Sequence, residues 1–222
     1  MAAKIENSTL KFLKDLKANN DKDWFASNKG RYDEAKANFE EFIAELINNI
    51  AKFDEPIGEL VAKKTIFRIY RDVRFSKDKA PYKINMGAHL SVNRSKVHDR
   101  AGYYIQIQPG NSFLAGGAYD PGNPWITQIR KEIDYNTKEF KKLINSASFK
   151  KYFGEIEGDK LKTAPKGFPK DHPEMDLLQY KSYLAVNRFD DKMVTSADFM
   201  KHCTNVFKAM KPFDDFLNRA AD

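Results

Sequence analysis

The sequence predicts a single α+β domain spanning residues 1–222, with an antiparallel β-sheet from the middle of the chain packed against N- and C-terminal helices. Three observations predict it. Apolar residues recur at helical spacing near both ends. Strict two-residue alternation fills the middle. No internal repeat, low-complexity tract or linker separates the two patterns. A length of 222 residues suits one large domain. A content of 41% hydrophobic and 13% aromatic residues supplies a core and excludes a disordered chain.

Asn7 or Ser8 is placed to cap a first helix that carries Leu10, Leu13 and Leu16 on one side. "NNDKDWFASN" reads as a polar break. A longer helix is expected from about Lys29 to Phe53. There Phe39, Phe42, Ile43, Leu46, Ile47 and Ile50 form one apolar stripe, and Pro56 and Gly58 mark the end. Ile66 to Val73 is compatible with a strand. Ile84, Met86, Ala88, Leu90 and Val92 then alternate with Lys83, Asn85, Gly87, His89 and Ser91. In "AGYYIQIQ", Tyr103, Ile105 and Ile107 oppose Tyr104, Gln106 and Gln108, and Pro109-Gly110-Asn111 turns into "SFLAGGAY". A meander is therefore expected from about residue 64 to 118. "DPGNP" ends it. Trp125 to about Phe153 reads as helix, interrupted near Asp134 to Asn136 and near Ser146. "TAPKGFPKDHPEMD" is a proline-rich loop and "KSYLAVNRF" a further strand. The chain closes on a helix from about Ser196 to Leu217, with Phe199, Cys203, Val206, Phe207, Met210 and Phe213 on one stripe.

One cysteine rules out an intrachain disulfide and suits a reducing compartment. The N-terminus lacks an apolar signal core, and no apolar run approaches bilayer-spanning length. The expectation is a cytoplasmic protein without a membrane partner. The formal charge is +7, but its distribution matters more than its size. Between Lys63 and Lys96, ten Lys/Arg stand against two Asp, a net of +8, and the rest of the chain carries −1. A general basic coat points to loose polyanion attraction, whereas a localised excess points to a patch with a partner.

The centre of that excess is "FRIYRDVRFSKDKAPYK", Phe67 to Lys83. If Ile66 to Arg74 is extended, Arg68, Tyr70, Asp72 and Arg74 share one side. Phe67, Ile69, Arg71 and Val73 share the other, so Arg71 falls on the apolar side. "SKDKAPY" is a loop, because Pro81 lacks a donor, and it brings Asp78 and Lys79 back towards the strand. Guanidinium groups grip carboxylate or phosphate through paired hydrogen bonds, and lysine adds a point charge. Asp72 and Asp78 are suited to orient the arginines or accept protons, and Tyr82 to donate to a ligand oxygen. The competing reading is a structural network: Arg71–Asp78 or Arg68–Asp72 pairs brace the loop and contribute little.

Arg68, Arg71, Asp72, Arg74, Phe75, Asp78, Lys79 and Tyr82, eight positions in fifteen, also carry a resemblance. They match the signature of a bacterial family, domain of unknown function 2461. Trp24-Phe25, Asn28, Arg31-Tyr32, "AGYYIQIQPGNSF" and "KGFPKDHP" resemble it too, so the likeness covers nearly the whole chain. The family has no established activity. The resemblance implies that these positions are its shared feature and assigns them no role.

Other chemistry is sparse. His89, His98, His172 and His202 show no HExxH or HxH spacing, and there is no CxxC, so no metal is expected. His89 shares the polar strand face with Asn85, should neighbour Gln106, and is suited to acid–base work near neutral pH. His172 belongs to a turn, and Cys203 to the core. Ser112 is not in a G-x-S-x-G elbow, and no P-loop or G-x-G-x-x-G is present, so no cofactor is expected. Basic residues interleaved with Phe67, Tyr70, Phe75 and Tyr82 also suit nucleic acid, although no named motif is present. The leading expectation is a site for an anionic small molecule bearing phosphate or carboxylate, with or without turnover. It is formed by Arg68, Arg71, Arg74, Lys79 and Tyr82 with Asp72 and Asp78, and extends onto Lys83, Asn85, His89, Tyr104 and Gln106. The rival is a module without chemistry, either binding nucleic acid or using the motif only to brace the fold.

Overall fold

The computed structural model describes residues 3–92 and 98–221; Arg94 and Lys96, counted in the basic segment, lie outside them. The fold is α+β. Helices α1 (Asn7–Ala18), α2 (Lys22–Ser27) and α3 (Lys29–Ile50) lead into a 3-10 turn (Glu55–Glu59) and the short α4 (Ala62–Thr65). Strands β1 (Met86–Leu90), β2 (Gly102–Ile107) and β3 (Ser112–Ala118) follow. After them come α5 (Asn123–Tyr135), α6 (Thr137–Ile144), α7 (Ala147–Phe153), α8 (Met175–Leu178), β4 (Tyr183–Phe189), α9 (Asp191–Val194) and α10 (Phe199–Arg219). The four strands form one antiparallel sheet in chain order, β1-β2-β3-β4.

The chain divides into two compact units whose segments interleave. The first comprises the residues up to Leu90, Tyr104–Leu114 and Arg188–Asn205. Its core is the expected α3 stripe, from Phe39 to Ile50, fully or almost fully buried, against Phe12, Leu13 and Leu16 of α1. Phe42 stacks on Phe199 at the start of α10, with ring centroids 5.2 Å apart.

The second unit takes the described residues of Ser91–Tyr103, with Ala115–Asn187 and the chain from Val206 onward. Ile129 and Ile133 of α5, Phe140 of α6, Phe149 of α7 and Phe213 of α10 build its core. Within it, Arg130 is buried with no carboxylate partner among the described residues. Its Nε donates to the Leu178 carbonyl at 2.8 Å and its Nη2 to that of Tyr180 at 2.9 Å, so backbone dipoles solvate the charge.

Three local expectations need correction. The N-cap of α1 is Glu6, not Asn7 or Ser8, and its own side chain makes no cap bond. Instead Asn38 of α3 accepts from the Glu6 N–H at 2.9 Å and the Thr9 hydroxyl at 2.8 Å, so a tertiary contact replaces a local one. The stretch read as a polar break contains α2, started by Asp21, whose carboxylate accepts from the Trp24 N–H at 2.8 Å. A helix this short shows no periodicity. Ile66 to Val73 makes no strand ladder; isolated antiparallel bridges join Ile66 to Ala88 and Tyr70 to Tyr82.

Candidate functional site

The basic segment lies in the first unit. Its side-to-side alternation is as expected over most of its length: Ile69 is buried and Arg71 and Val73 half-buried, while Arg68, Tyr70, Asp72 and Arg74 are exposed. Phe67 departs from it, at 42% exposure. Three backbone bonds hold the segment to the returning chain, Phe67 N to the Gly87 carbonyl at 2.9 Å, Arg71 N to the Pro81 carbonyl at 2.9 Å and Lys83 N to the Ile69 carbonyl at 2.7 Å.

Most of the motif's charge closes on itself. From the half-buried base of the loop, Arg71 Nη1 donates to Asp78 Oδ2 at 2.6 Å and to the Ala80 carbonyl at 3.1 Å, and Nη2 to Ser76 Oγ at 3.4 Å. Arg74 grips Asp72 with two bonds, Nε to Oδ1 at 3.0 Å and Nη2 to Oδ2 at 2.7 Å. Lys79 Nζ donates to the Val73 carbonyl at 3.0 Å. The Arg74 bonds, seconded by the nearby Arg68 charge, hold the Asp72 carboxyl below its ordinary range. The Ala80 N–H, then Arg71, does the same for Asp78. Both aspartates are therefore committed carboxylates. The Arg68–Asp72 pair does not form; Arg74 takes Asp72 instead.

Tyr82 is 6% exposed, and its ring stacks on Phe25 with centroids 4.0 Å apart. Tyr32 and Tyr70 pack around the same Phe25, at 5.1 and 6.2 Å. Burial raises the Tyr82 phenol's pKa, and the neighbouring Tyr70 adds to the shift. Asn20 clamps the same residue through its backbone, donating to the Tyr82 carbonyl at 2.9 Å and accepting from the Tyr82 N–H at 3.1 Å. Tyr82 thus anchors the motif to α2 and to Asn20 just before it. The signal for this cluster lay in Trp24-Phe25 and Arg31-Tyr32; Asn20 carried none. Arg31 is itself paired, to Asp15 at 2.6 Å and Asn28 at 3.0 Å, and lines a cleft of about 200 Å³ with Ser8, Lys11, Asp15, Glu34 and Ala35. That cleft carries both signs of charge.

Two cations next to the sheet are not committed. Arg68 makes no hydrogen bond or ion pair among the described residues, and the half-buried Lys83 likewise has no acid partner. Lys83 Nζ sits over the Phe67 ring, 5.2 Å from its centroid. Burial lowers its pKa first and the Arg68 charge second. Beyond Phe67 runs the polar face of the sheet. The Phe67 ring meets Tyr104 edge-on at 6.2 Å, and Tyr104 meets Phe113 at 5.6 Å. Gly87 makes room for the phenol, since a Cβ there would stand 2.8 Å from the Tyr104 hydroxyl. A chain of side-chain bonds crosses this face: Tyr104 hydroxyl to Gln106 Oε1 at 2.9 Å, Gln106 Nε2 to Gln108 Oε1 at 3.1 Å, and Asn85 Nδ2 to the same oxygen at 3.4 Å. His89 is on this face without a bond to Gln106, and burial lowers its pKa to about 4, so it is neutral at pH 7.

The remaining histidines are dispersed. His98 packs against Tyr119, His172 in the proline-rich loop bonds Asp134 of α5 at 3.0 Å, and His202 is packed against Phe189. Among the described residues, no group of three or more His, Cys, Asp or Glu side chains is placed to hold a metal. Cys203 is fully buried, and burial raises its thiol well above the ordinary range. No helix among the described residues is long and apolar enough to cross a membrane.

No curated protein and no solved structure matches this chain. A family model described as "Conserved hypothetical protein (DUF2461)" matches residues 8–216, the span that includes both the paired loop and the open face, and the chain belongs to that family.

Proposed function

We propose that the protein binds a small anionic molecule, bearing phosphate or carboxylate, on the polar sheet face beside Arg68 and Lys83. One observation carries the reading: among the described residues, two neighbouring cations lack a counter-charge within a motif whose other arginines have theirs. Like charges held together raise each other's cost, and an anionic ligand removes it. Arg68 supplies the planar fork and Lys83 the point charge. Asn85, Gln106 and Gln108 offer amide groups to a polar body, and Phe67 an exposed ring. Arg71, Asp72, Arg74, Asp78 and Lys79 act one step away, by holding the loop. Tyr82 sets the position of Lys83, its neighbour in the chain.

The test is thermal unfolding at fixed ionic strength against phosphate, sulfate, sugar phosphates and short carboxylates. A ligand at a hundred times its Kd stabilises by about 2.7 kcal/mol. At roughly 2–4 °C per kcal/mol for a chain of this size, that is a shift of about 5–10 °C. The shift should vanish in Arg68→Ala and in Lys83→Ala, while their unliganded melting temperatures stay near wild type. A shift that survives both substitutions, or a panel without any shift, refutes the reading.

A further inference from the structure

Phe75 stands 95% exposed at the tip of the Arg71–Ala80 loop. Nothing about this loop is slack. Arg71 ties its base to Asp78, Ala80 and Ser76. Asp78 accepts from the Ala80 N–H at 2.9 Å, and Ser76 N bonds the Val73 carbonyl at 3.3 Å. The motif's internal bonds close the loop on itself and leave an aromatic ring in water. The ring is not alone. The Arg74 guanidinium lies over one face, 5.8 Å from the centroid. Lys77 is exposed and makes no bond or ion pair among the described residues, and Lys79, also exposed, uses its ammonium on one carbonyl. Tyr70, 51% exposed, lies on the same side of the segment as Arg68 and Arg74.

From this juxtaposition, an exposed ring on a braced loop flanked by Arg74, Lys77 and Lys79, we infer that the loop is a binding surface for single-stranded nucleic acid. The free face of Phe75 takes an unstacked base, and Lys77 and Lys79, neither paired to an acid among the described residues, take the flanking phosphates. Charge complementarity selects this partner: Arg71 and Arg74 are matched by the loop's two aspartates, and Lys77 and Lys79 leave it net positive around the exposed ring. Protein interfaces are depleted in lysine at their centres, and a lipid surface calls for a wider apolar face than one ring. A duplex offers phosphates but no free base. The inference stands apart from the small-anion reading, which rests on Arg68 and Lys83.

The test is fluorescence anisotropy of labelled twelve-nucleotide RNA and DNA single strands, at 50 and 200 mM salt, with a duplex of equal charge and phosphatidylglycerol vesicles as controls. Single strands should bind more tightly than the duplex, with affinity falling by about 0.7 log units per phosphate engaged for each ten-fold rise in salt, or about 0.4 between 50 and 200 mM. Phe75→Ala should weaken single-strand binding roughly ten-fold or more at both salts and leave the salt slope unchanged. Lys77→Ala should instead reduce the slope. Being exposed, neither substitution should move the melting temperature, and both should leave the anion-dependent shift at Arg68 and Lys83 intact. The fluorescence of Phe75→Trp should be quenched by the strand. Equal affinity for single strand and duplex, indifference to Phe75→Ala, or Phe75-dependent capture by vesicles alone would each overturn the inference.

Discussion

Acid should weaken this protein through His89, and by a predictable amount. The imidazole sits on the polar face of β1 without a hydrogen bond among the described residues, and burial depresses its pKa from 6.5 to about 4. The unfolded chain therefore binds a proton between pH 6.5 and 4 that the folded chain refuses. The stabilising contribution of the neutral ring is complete above the unfolded pKa and is lost as pH falls towards 4. Integrating that difference between pH 7 and pH 5 gives a loss of about 2 kcal/mol. Equilibrium urea unfolding at 25 °C, at pH 7, 6 and 5 and constant ionic strength, measures it. His89→Gln removes the titration and no existing bond, so its stability at pH 7 should stay within about 1 kcal/mol of wild type. At pH 5 the variant should be the more stable of the two. His202, also lowered by burial, remains in both proteins and leaves a residual slope. A variant whose stability falls with pH as steeply as wild type would refute the reasoning, because the proton would then be taken up elsewhere.

Two further substitutions probe what positions the site and the sheet. Asn20→Ala removes both bonds to the Tyr82 backbone and should cost about 2 kcal/mol, at roughly 1 kcal/mol per bond, in urea unfolding; it should also weaken anion binding, because Lys83 follows Tyr82. A loss of stability with ligand binding unchanged would separate the clamp from the site. Gly117→Ala, in β3, forces a side chain onto a backbone at φ +107° and drives its Cβ into the Tyr183 carbonyl, so a loss on the order of 3 kcal/mol is expected in the same measurement, and a loss under about 1 kcal/mol would contradict the packing there.

How far the sequence reaches into this site depends on the physics of each feature. Period alone assigns faces, because successive side chains in an extended segment point to opposite sides. That is why Ile69 and Arg71 were legible as the inner side and Arg68, Tyr70, Asp72 and Arg74 as the outer one. Period cannot choose a partner. Arg68 and Arg74 share a side with Asp72, and what gives Asp72 to Arg74 is the bend after Val73, which brings the Arg74 N–H and guanidinium onto the same carboxylate oxygen, at 3.3 and 3.0 Å. The same step frees Arg68. The Phe25–Tyr82 stack was illegible for another reason: it joins residues 57 apart in the chain, and no local pattern encodes a contact of that span. The α3 stripe, by contrast, is a local pattern and appears in the fold residue for residue; the alternation in β1 and β2 located the strands, but most of the positions on their polar side, Gly87 and Gln106 among them, are covered as well. A basic motif is therefore weak evidence on its own for where an anion binds. Once the bend is known, the paired arginines read as a scaffold. Among the described residues of the motif, Arg68 with Lys83 at the sheet, and Lys77 and Lys79 in the loop, have no acid partner and so have charge to offer.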